Sequence, residues 1–332
     1  MSAPTISVVL PVLDGLGFLR RSLPPLLAEV PDQALEVLVV DDGCTDGSAE
    51  FATALGARVI ATAGRLGPAA ARNLGARHVR GEVLFFVDAD VVVHRDFLAR
   101  VRAALRDPGI VAVFGSYDDR PPDPGFFSRW KNLQHHHVHT RSPGEASTFW
   151  SGCGAVRAEA FAAVGGFDVA RFPLPSIEDI ELGYRLRGRG GRILLDPSIR
   201  ATHLKRWGLV DLVRTDVLRR ALPWARLLQS RPEARDDLNV RSGERLRAGL
   251  AALVAVTLPI PPLSLLSLGA AFLANAQLLS VFLRRHGMLF ALEGGLFLQV
   301  YYLYAAGAWL WAAGEARTES PESRNRAASR PL

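Results

Sequence analysis

Two cysteines in 332 residues leave nothing from which to build a disulfide framework. Cys44 and Cys153 fall far apart in turn-rich segments, which reads as small-residue packing in a reducing compartment. Charge is missing altogether from Ala248 to Leu283. No apolar leader precedes the first strand-like run at Thr5, so no signal peptide is expected. The run His135, His136, His137 and His139 lacks any companion Cys or second ligand set at zinc spacing, so no metal site is expected there. With 49% hydrophobic residues, a disordered chain is excluded.

What is present is unevenly spread. The length suits about two domains. Lys and Arg number 39 against 33 Asp and Glu, a net charge of +6. From Arg200 to Arg247, twelve Lys and Arg stand against six Asp and Glu, so this window holds an excess equal to the whole net charge. The basic stretch runs straight into the uncharged one. It therefore reads as a juxtamembrane segment facing anionic lipid, and no nucleic-acid partner is expected. Residues 208–246 read as amphipathic, basic interfacial helices. The uncharged run exceeds the roughly 20 residues of one span and is interrupted by Pro259, Pro261 and Pro262, which predicts a helical hairpin. A second apolar run, Met288 to Gly314, carries only Glu293 and holds Tyr301, Tyr302, Tyr304, Trp309 and Trp311, an aromatic set suited to a membrane interface. Two or three spans are expected within 247–314, with Glu293 near the headgroups and a polar tail over 315–332.

The first 120 residues alternate short apolar runs with helical stretches. Strands are expected at 6–10, 36–40, 58–60, 83–87 and 110–114, with helices between them. Continuous apolar strands separated by helices indicate an α/β fold with a mostly parallel sheet covered on both faces. In such folds ligands bind beyond the carboxyl ends of the strands. The first strand ends near Pro11. The second ends in Asp41-Asp42-Gly43, and the fourth in Asp88-Ala89-Asp90. Two Asp separated by one residue after a buried strand suit a hard divalent cation that bridges carboxylates to phosphates. Gly64-Arg65-Leu66-Gly67-Pro68 opens a helix whose N-terminus favours anions, and Arg65 and Arg72 would face either a diphosphate or structural carboxylates. Phe149-Trp150-Ser151-Gly152 carries small residues that would let a sugar approach the backbone, or simply make a tight turn. Ser176-Ile177-Glu178-Asp179 could form a capping box between Ser176 and Asp179, or supply a carboxylate base.

The ordered set Ser-Val-Val-Leu-Pro-Val, Val-Val-Asp-Asp-Gly, Gly-Pro-Ala-Ala-Ala-Arg-Asn and Asp-Ala-Asp resembles a family 2 glycosyltransferase of the GT-A fold, of the membrane-anchored bacterial type, over residues 5 to about 207. The resemblance implies a Rossmann-like domain over 1–207 and an inverting transfer from a nucleotide-activated sugar, with UDP-sugars favoured. It places Pro11, Asp41, Asp42, Arg65, Arg72 and Asp88 at the donor, and Asp88, Asp90 and His203 around Mg²⁺ or Mn²⁺. Trp150, Gly152, Glu178, Arg206 and Trp207 would line the acceptor and sugar pocket, and Asp179 would be the general base. Processive synthases of the family carry Gln-x-x-Arg-Trp; here His203 stands in place of the Gln before Arg206-Trp207. That departure weakens a polymer-synthase reading. The rivals are such a synthase and a non-catalytic membrane scaffold on the same fold. The apolar end and basic belt point to a lipid or polyprenyl-phosphate acceptor at the inner face of a plasma membrane, with a cytoplasmic catalytic domain and a multi-pass anchor.

Overall fold

The computed structural model describes residues 4–28, 35–230 and 242–318. Its contacts divide it into two units. One comprises the described residues of Met1–Pro122 with His139–Lys205, and the other Asp123–Val138 with the described residues of Arg206–Ala328.

The first unit holds a nine-stranded mixed sheet. In chain order the strands are β1 (Ile6–Val12), β2 (Leu35–Asp41), β3 (Arg58–Ala61), β4 (Val83–Val87), β5 (Val91–Val93), β6 (Ile110–Tyr117), β7 (Gly144–Ala146), β8 (Cys153–Arg157) and β9 (Arg192–His203). The helices around them are α1 (Leu16–Leu27), α2 (Ser48–Ala54), α3 (Pro68–His78) and α4 (Phe97–Ala104). Helix α5 (Phe126–Thr140) lies in the second unit except for its last two residues. Helices α6 (Ala158–Ala163) and α7 (Glu178–Gly188) complete the first unit.

The sheet order is β3-β2-β1-β4-β8-β6-β9-β5, with β7 paired to β9. The four expected strands β1 to β4 are there and mutually parallel. They are buried because both faces are covered: β1 and β4 are buried at every position. Beyond β4 the sheet is mixed: β6 and β9 pair parallel, while the other pairs are antiparallel. β8 inserts antiparallel between β4 and β6, and β5 closes antiparallel on the far end of β9. The fifth apolar run, β6, is a strand as expected, but it pairs with β8 and β9 and not with β4. A continuous apolar run announces burial on both faces and says nothing about the direction of its neighbour.

These two antiparallel insertions build the site. β8 pairs Val87 with Cys153, which sets the residues after β4 beside the 150–152 turn. β5 pairs Val91 with His203, which sets the end of β9 beside Asp90. Gly67, at φ 89°, precedes Pro68 at the first turn of α3, where the fixed φ of proline is already helical. A Cβ at Gly67 would stand 2.4 Å from the Pro173 carbonyl oxygen, so only glycine fits.

The second unit is helical. With α5 it contains α8 (Leu209–Thr215), a π-helical turn (Asp216–Ala221), α9 (Leu222–Ser230), α10 (Ser242–Thr257), α11 (Pro261–Ala274) and α12 (Ala276–Thr318). Its core gathers Trp130, Leu133, Trp207, Leu212, Phe282 and Leu298. The proline-interrupted hairpin is confirmed as α10 and α11. At 1.5 Å per residue their 16 and 14 residues reach roughly 24 and 21 Å, short of the roughly 30 Å of a hydrocarbon core. Among the described residues only α12 is long and apolar enough to cross a membrane, so the expectation of two or three spans is not supported. The expected polar tail begins later than Glu315, since α12 runs to Thr318; residues 319–332, and 231–241 of the basic stretch, lie outside the described residues.

Phe85 is fully buried in β4 and stacks at 4.9 Å on Phe97 of α4. Phe85→Ala should cost about 3–5 kcal/mol through lost burial and the cavity left behind. Chemical denaturation followed by circular dichroism measures it.

Candidate active site

The site lies in the first unit, where the ends of β2, β4 and β9 meet the start of α7. Arg72 of α3 is its hinge. Its side chain is 5% exposed. One terminal nitrogen donates to Asp88 Oδ1 at 2.6 Å, and the other to Glu178 Oε1 at 3.0 Å. The ring of Phe167 lies 5.5 Å from the guanidinium carbon. Burial disfavours the charge, but Asp88 and Glu178 outweigh it and hold the guanidinium firmly protonated. Arg72 thus pairs with two carboxylates, Asp88 and Glu178.

Glu178 is buried, and its other oxygen accepts from the Ser176 backbone N–H at 2.8 Å. The expected capping box is therefore reversed. Helix α7 starts at Glu178 with no side-chain cap from Ile177, and Asp179 turns away toward the 150–152 turn. Asp179 Oδ2 accepts from the Ser151 backbone N–H at 3.0 Å and from the Ser151 hydroxyl at 3.3 Å. Burial, and then the like charge of Glu178, push the Asp179 carboxyl up from its ordinary 3.8 to about 6. A carboxylate with that pKa exchanges protons readily near neutrality.

Asp88 follows β4 directly, and its backbone N–H donates to the Gly152 carbonyl at 3.3 Å. Asp90 faces His203, whose Nε2 lies 3.4 Å from Oδ2. Burial works against the Asp90 carboxylate, but His203 and Lys205 outweigh it and hold it below the ordinary range. Tyr117 stacks on the His203 imidazole at 4.4 Å with a 9° interplanar angle, and Trp150 meets Tyr117 edge-on at 4.7 Å. The sequence reading missed Tyr117 and the bond from Ser151. Only the position of Tyr117 at the end of β6 hinted at a role. Gly152 sits under the Trp150 indole, where a Cβ would come within 2.7 Å of the ring.

Asp90 and His203 offer a carboxylate oxygen and an imidazole nitrogen at adjacent strand ends, a donor set that suits Mg²⁺ or Mn²⁺. Asp88 gives one oxygen to Arg72, so it can offer only the other. Asp14, Cys44 and Asp46 also come within 4.8 Å of one another. There the carboxylates serve the turn, since Asp14 Oδ1 accepts from Thr45 N–H and Asp46 Oδ2 from Leu16 N–H. Burial and Asp41 push the Cys44 thiol up to about 11, away from the thiolate a metal needs.

Several residues expected at the donor are occupied otherwise. Asp42 is buried and accepts from the Thr62 hydroxyl and from the Leu66 and Gly67 N–H groups, so its carboxylate organises the 64–67 loop. Asp41 stays half-buried at the end of β2, with Oδ1 accepting from the Gly43 and Cys44 N–H groups. Arg65 is exposed and pairs with Asp14 at 2.7 Å. Pro11 is buried within β1 opposite Val40. Arg206 and Trp207 belong to the second unit. The Trp207 ring is part of that unit's core and its backbone N–H donates to Ser128 Oγ, while Arg206 is exposed 3.9 Å from Asp123. His139 is buried and its Nδ1 donates to the Gly115 carbonyl, 2.9 Å away, so it is a packed residue.

Residues 7–165 match the model of glycosyl transferase family 2. The chain is 28% identical over 217 residues to the pre-mycofactocin glycosyltransferase of Mycobacterium tuberculosis, which covers 63% of this chain and 44% of that protein. It is 29% identical over 231 residues to the validoxylamine A glucosyltransferase of Streptomyces hygroscopicus subsp. jinggangensis, covering 56% of this chain and 52% of that one. The chain thus spans about half the length of these curated relatives. Among solved structures, the mannosyltransferase PcManGT of Pyrobaculum calidifontis, in complex with GDP-Man and Mn²⁺, superposes with a TM-score of 0.55 at 22% identity, covering 94% of this chain and 88% of that one. This likeness is one of fold.

The Arg72 bridge makes a sharp stability prediction. Arg72→Leu should cost about 3–5 kcal/mol, because it leaves Glu178 buried without its cation. Arg72→Leu combined with Glu178→Leu should recover much of that loss, and thermal unfolding of both variants checks it. The motifs at the strand ends, the GT-A-like sheet and the family model agree on one point: residues 7–165 of the chain are similar to glycosyl transferase family 2.

Proposed function

We propose that the chain is an inverting glycosyltransferase that moves a sugar from a nucleotide-diphosphate donor to a lipid-linked or membrane-associated acceptor. The observation that carries this reading is the Arg72 bridge. It joins the acid at the end of β4 to the helix start that presents Asp179, which puts a donor-side and an acceptor-side carboxylate under one cation.

The acceptor hydroxyl attacks the anomeric carbon as the bond to the donor diphosphate breaks. Asp179 takes the hydroxyl proton on the face opposite the leaving group, and the bond pair of the breaking C–O bond departs with the nucleoside diphosphate. Ser151 holds the Asp179 oxygen that it bonds, and so fixes the direction in which the base points. Asp41, half-buried at the end of β2, would accept from the nucleoside through the oxygen not bonded to the Gly43 and Cys44 N–H groups. A divalent cation held by Asp90, His203 and the second oxygen of Asp88 would supply charge neutralisation for the departing diphosphate. The stacked Tyr117 fixes the plane of the His203 ring. The mannosyltransferase of similar fold carries GDP-Man and Mn²⁺, and the curated relatives are glycosyltransferases, which supports the donor class and a metal. The acceptor class is argued from the apolar, aromatic-rich helices of the second unit.

Detergent-purified chain is tested for donor turnover on UDP-, GDP- and TDP-sugars with Mn²⁺ or Mg²⁺. Metal-dependent turnover that Asp90→Asn lowers by 10²-fold or more, roughly, supports the reading. Turnover that ignores both metal and Asp90 contradicts it. With a competent acceptor, kcat/KM should rise with pH through about 6 as Asp179 ionises. Asp179→Asn should remove that limb and lower kcat by about 10²- to 10⁴-fold. The same shift sets the sign of a stability effect. The native state holds its proton to higher pH than the unfolded chain does, so stability falls as pH rises from 3.8 to about 6 and stays lowered above that. Asp179→Asn should therefore raise the melting temperature at pH 7.5 and change it little at pH 3.5.

A further inference from the structure

We infer that the helices of the second unit lie in the plane of a membrane, and that α12 docks on one leaflet of anionic lipid along its length instead of crossing the bilayer. The inference deepens the membrane part of the function proposed above and does not depend on the transfer chemistry.

Helix α12 is two limbs. Gly287, at φ 84° and ψ 178°, breaks it. The limbs then fold back on one another: Tyr302 Oη donates to Asn275 Oδ1 at 2.9 Å, and the Phe282 and Phe290 rings lie 5.4 Å apart. The first limb, 276–286, is too short to span. The second limb, 288–318, is long enough, but one side of it is lined throughout by polar helices. Moving along it, Phe297 packs on Trp130 at 4.8 Å, and Tyr301 faces the Lys131 ammonium at 5.7 Å. Tyr304 donates to Asp216 at 3.0 Å, and Glu315 pairs with Arg226 at 2.9 Å. The elements that supply those partners also carry Arg129, Gln134, Arg219 and Arg220. A limb standing across the bilayer would carry this whole row into hydrocarbon, where charged and amide groups have no water.

The other side of the same limb is an apolar stripe interrupted by Glu293. Leu289, Leu292, Leu296, Val300, Leu303 and Leu310 are exposed at spacings of three, four or seven residues, with Trp311 67% exposed near its end. The tip of the α10–α11 hairpin adds Leu258 and Ile260. Basic residues flank this limb along the chain: Arg284 and Arg285 precede it, Arg317 lies near its end, and all three are exposed, as is Arg245 of α10. An apolar stripe flanked by basic residues, with aromatic residues near its end, matches acyl chains below anionic headgroups. Glu293 is exposed on the second limb. In the plane of the interface its carboxylate can reach the headgroups, whereas in a span it would face hydrocarbon.

The test reconstitutes the full chain on sealed vesicles of phosphatidylcholine and phosphatidylglycerol. Arg284→Cys and Arg317→Cys are labelled with a membrane-impermeant maleimide, and the label is read peptide by peptide so that Cys44 and Cys153 can stay. The in-plane arrangement predicts that both sites react from the same side without permeabilisation. Labelling of one site only after permeabilisation would overturn it, as would failure of the chain to float with the vesicles. Leu289→Glu with Leu296→Glu should weaken flotation about tenfold or more while circular dichroism stays unchanged. Unchanged flotation of that folded variant would also overturn the docking face. Donor turnover in detergent is measured on the same preparations and judges the transferase reading separately.

Discussion

One buried cation holds the catalytic unit together. Arg72 sits between Asp88, at the end of β4, and Glu178, at the start of α7, with almost no contact with water. The two charges removed from solvent here, Arg72 and Glu178, are expensive unless paired. The Cα positions of these elements are therefore constrained to a narrow geometry. The consequences run outward from this point. Glu178 cannot leave without stranding Arg72, so Asp179 is fixed next to it. Burial first, and then the negative charge of Glu178, push the Asp179 carboxyl up to about 6, the working range of a base. Ser151 then aims it. On the other side, Asp88 is pinned by one oxygen, which leaves Asp90 and His203 as the close pair suited to a cation.

Much of this was legible in the sequence because the relevant chemistry sits at strand ends. The apolar runs that become β1, β2, β3 and β4 are read correctly by hydrophobicity alone, and the residues that follow them are the ones a parallel sheet exposes at its carboxyl edge. What hydrophobicity could not give is which strand lies beside which. The insertion of β8 and the return of β5 onto β9 bring Gly152 to Asp88 and His203 to Asp90 from far away in the chain. Side-chain allegiance was equally hidden. Asp41 and Asp42 are chemically identical neighbours, yet alternation along the strand turns Asp42 inward to hold the 64–67 loop and leaves Asp41 half-buried at the edge. Ser176 and Asp179 have the spacing of a capping box, but the helix begins one residue later than that motif requires.

The apolar end teaches the same lesson at larger scale. Its composition announced lipid, and the prolines announced a hairpin, but length counted along the sequence suggested several spans. The break at Gly287 and the polar partners of the second limb of α12 change the meaning of that length. A helix of this kind can be apolar on one side and still belong to a polar assembly on the other. For a transferase whose acceptor carries a lipid, an in-plane mount has a mechanical advantage: it holds the enzyme at the depth where headgroups are presented.

The account stands or falls on whether Glu178 sets the basicity of Asp179. The direct measurement is the pH dependence of kcat/KM in Glu178→Gln, which keeps one acceptor oxygen, enough for Arg72 or for the Ser176 N–H, and removes the neighbouring charge. The account predicts that the acidic limb moves below about 6, toward the ordinary carboxylate range, while the variant stays folded. A limb that stays where it is in the unmodified chain would contradict it, because the proton acceptor would then be a group that does not sense Glu178.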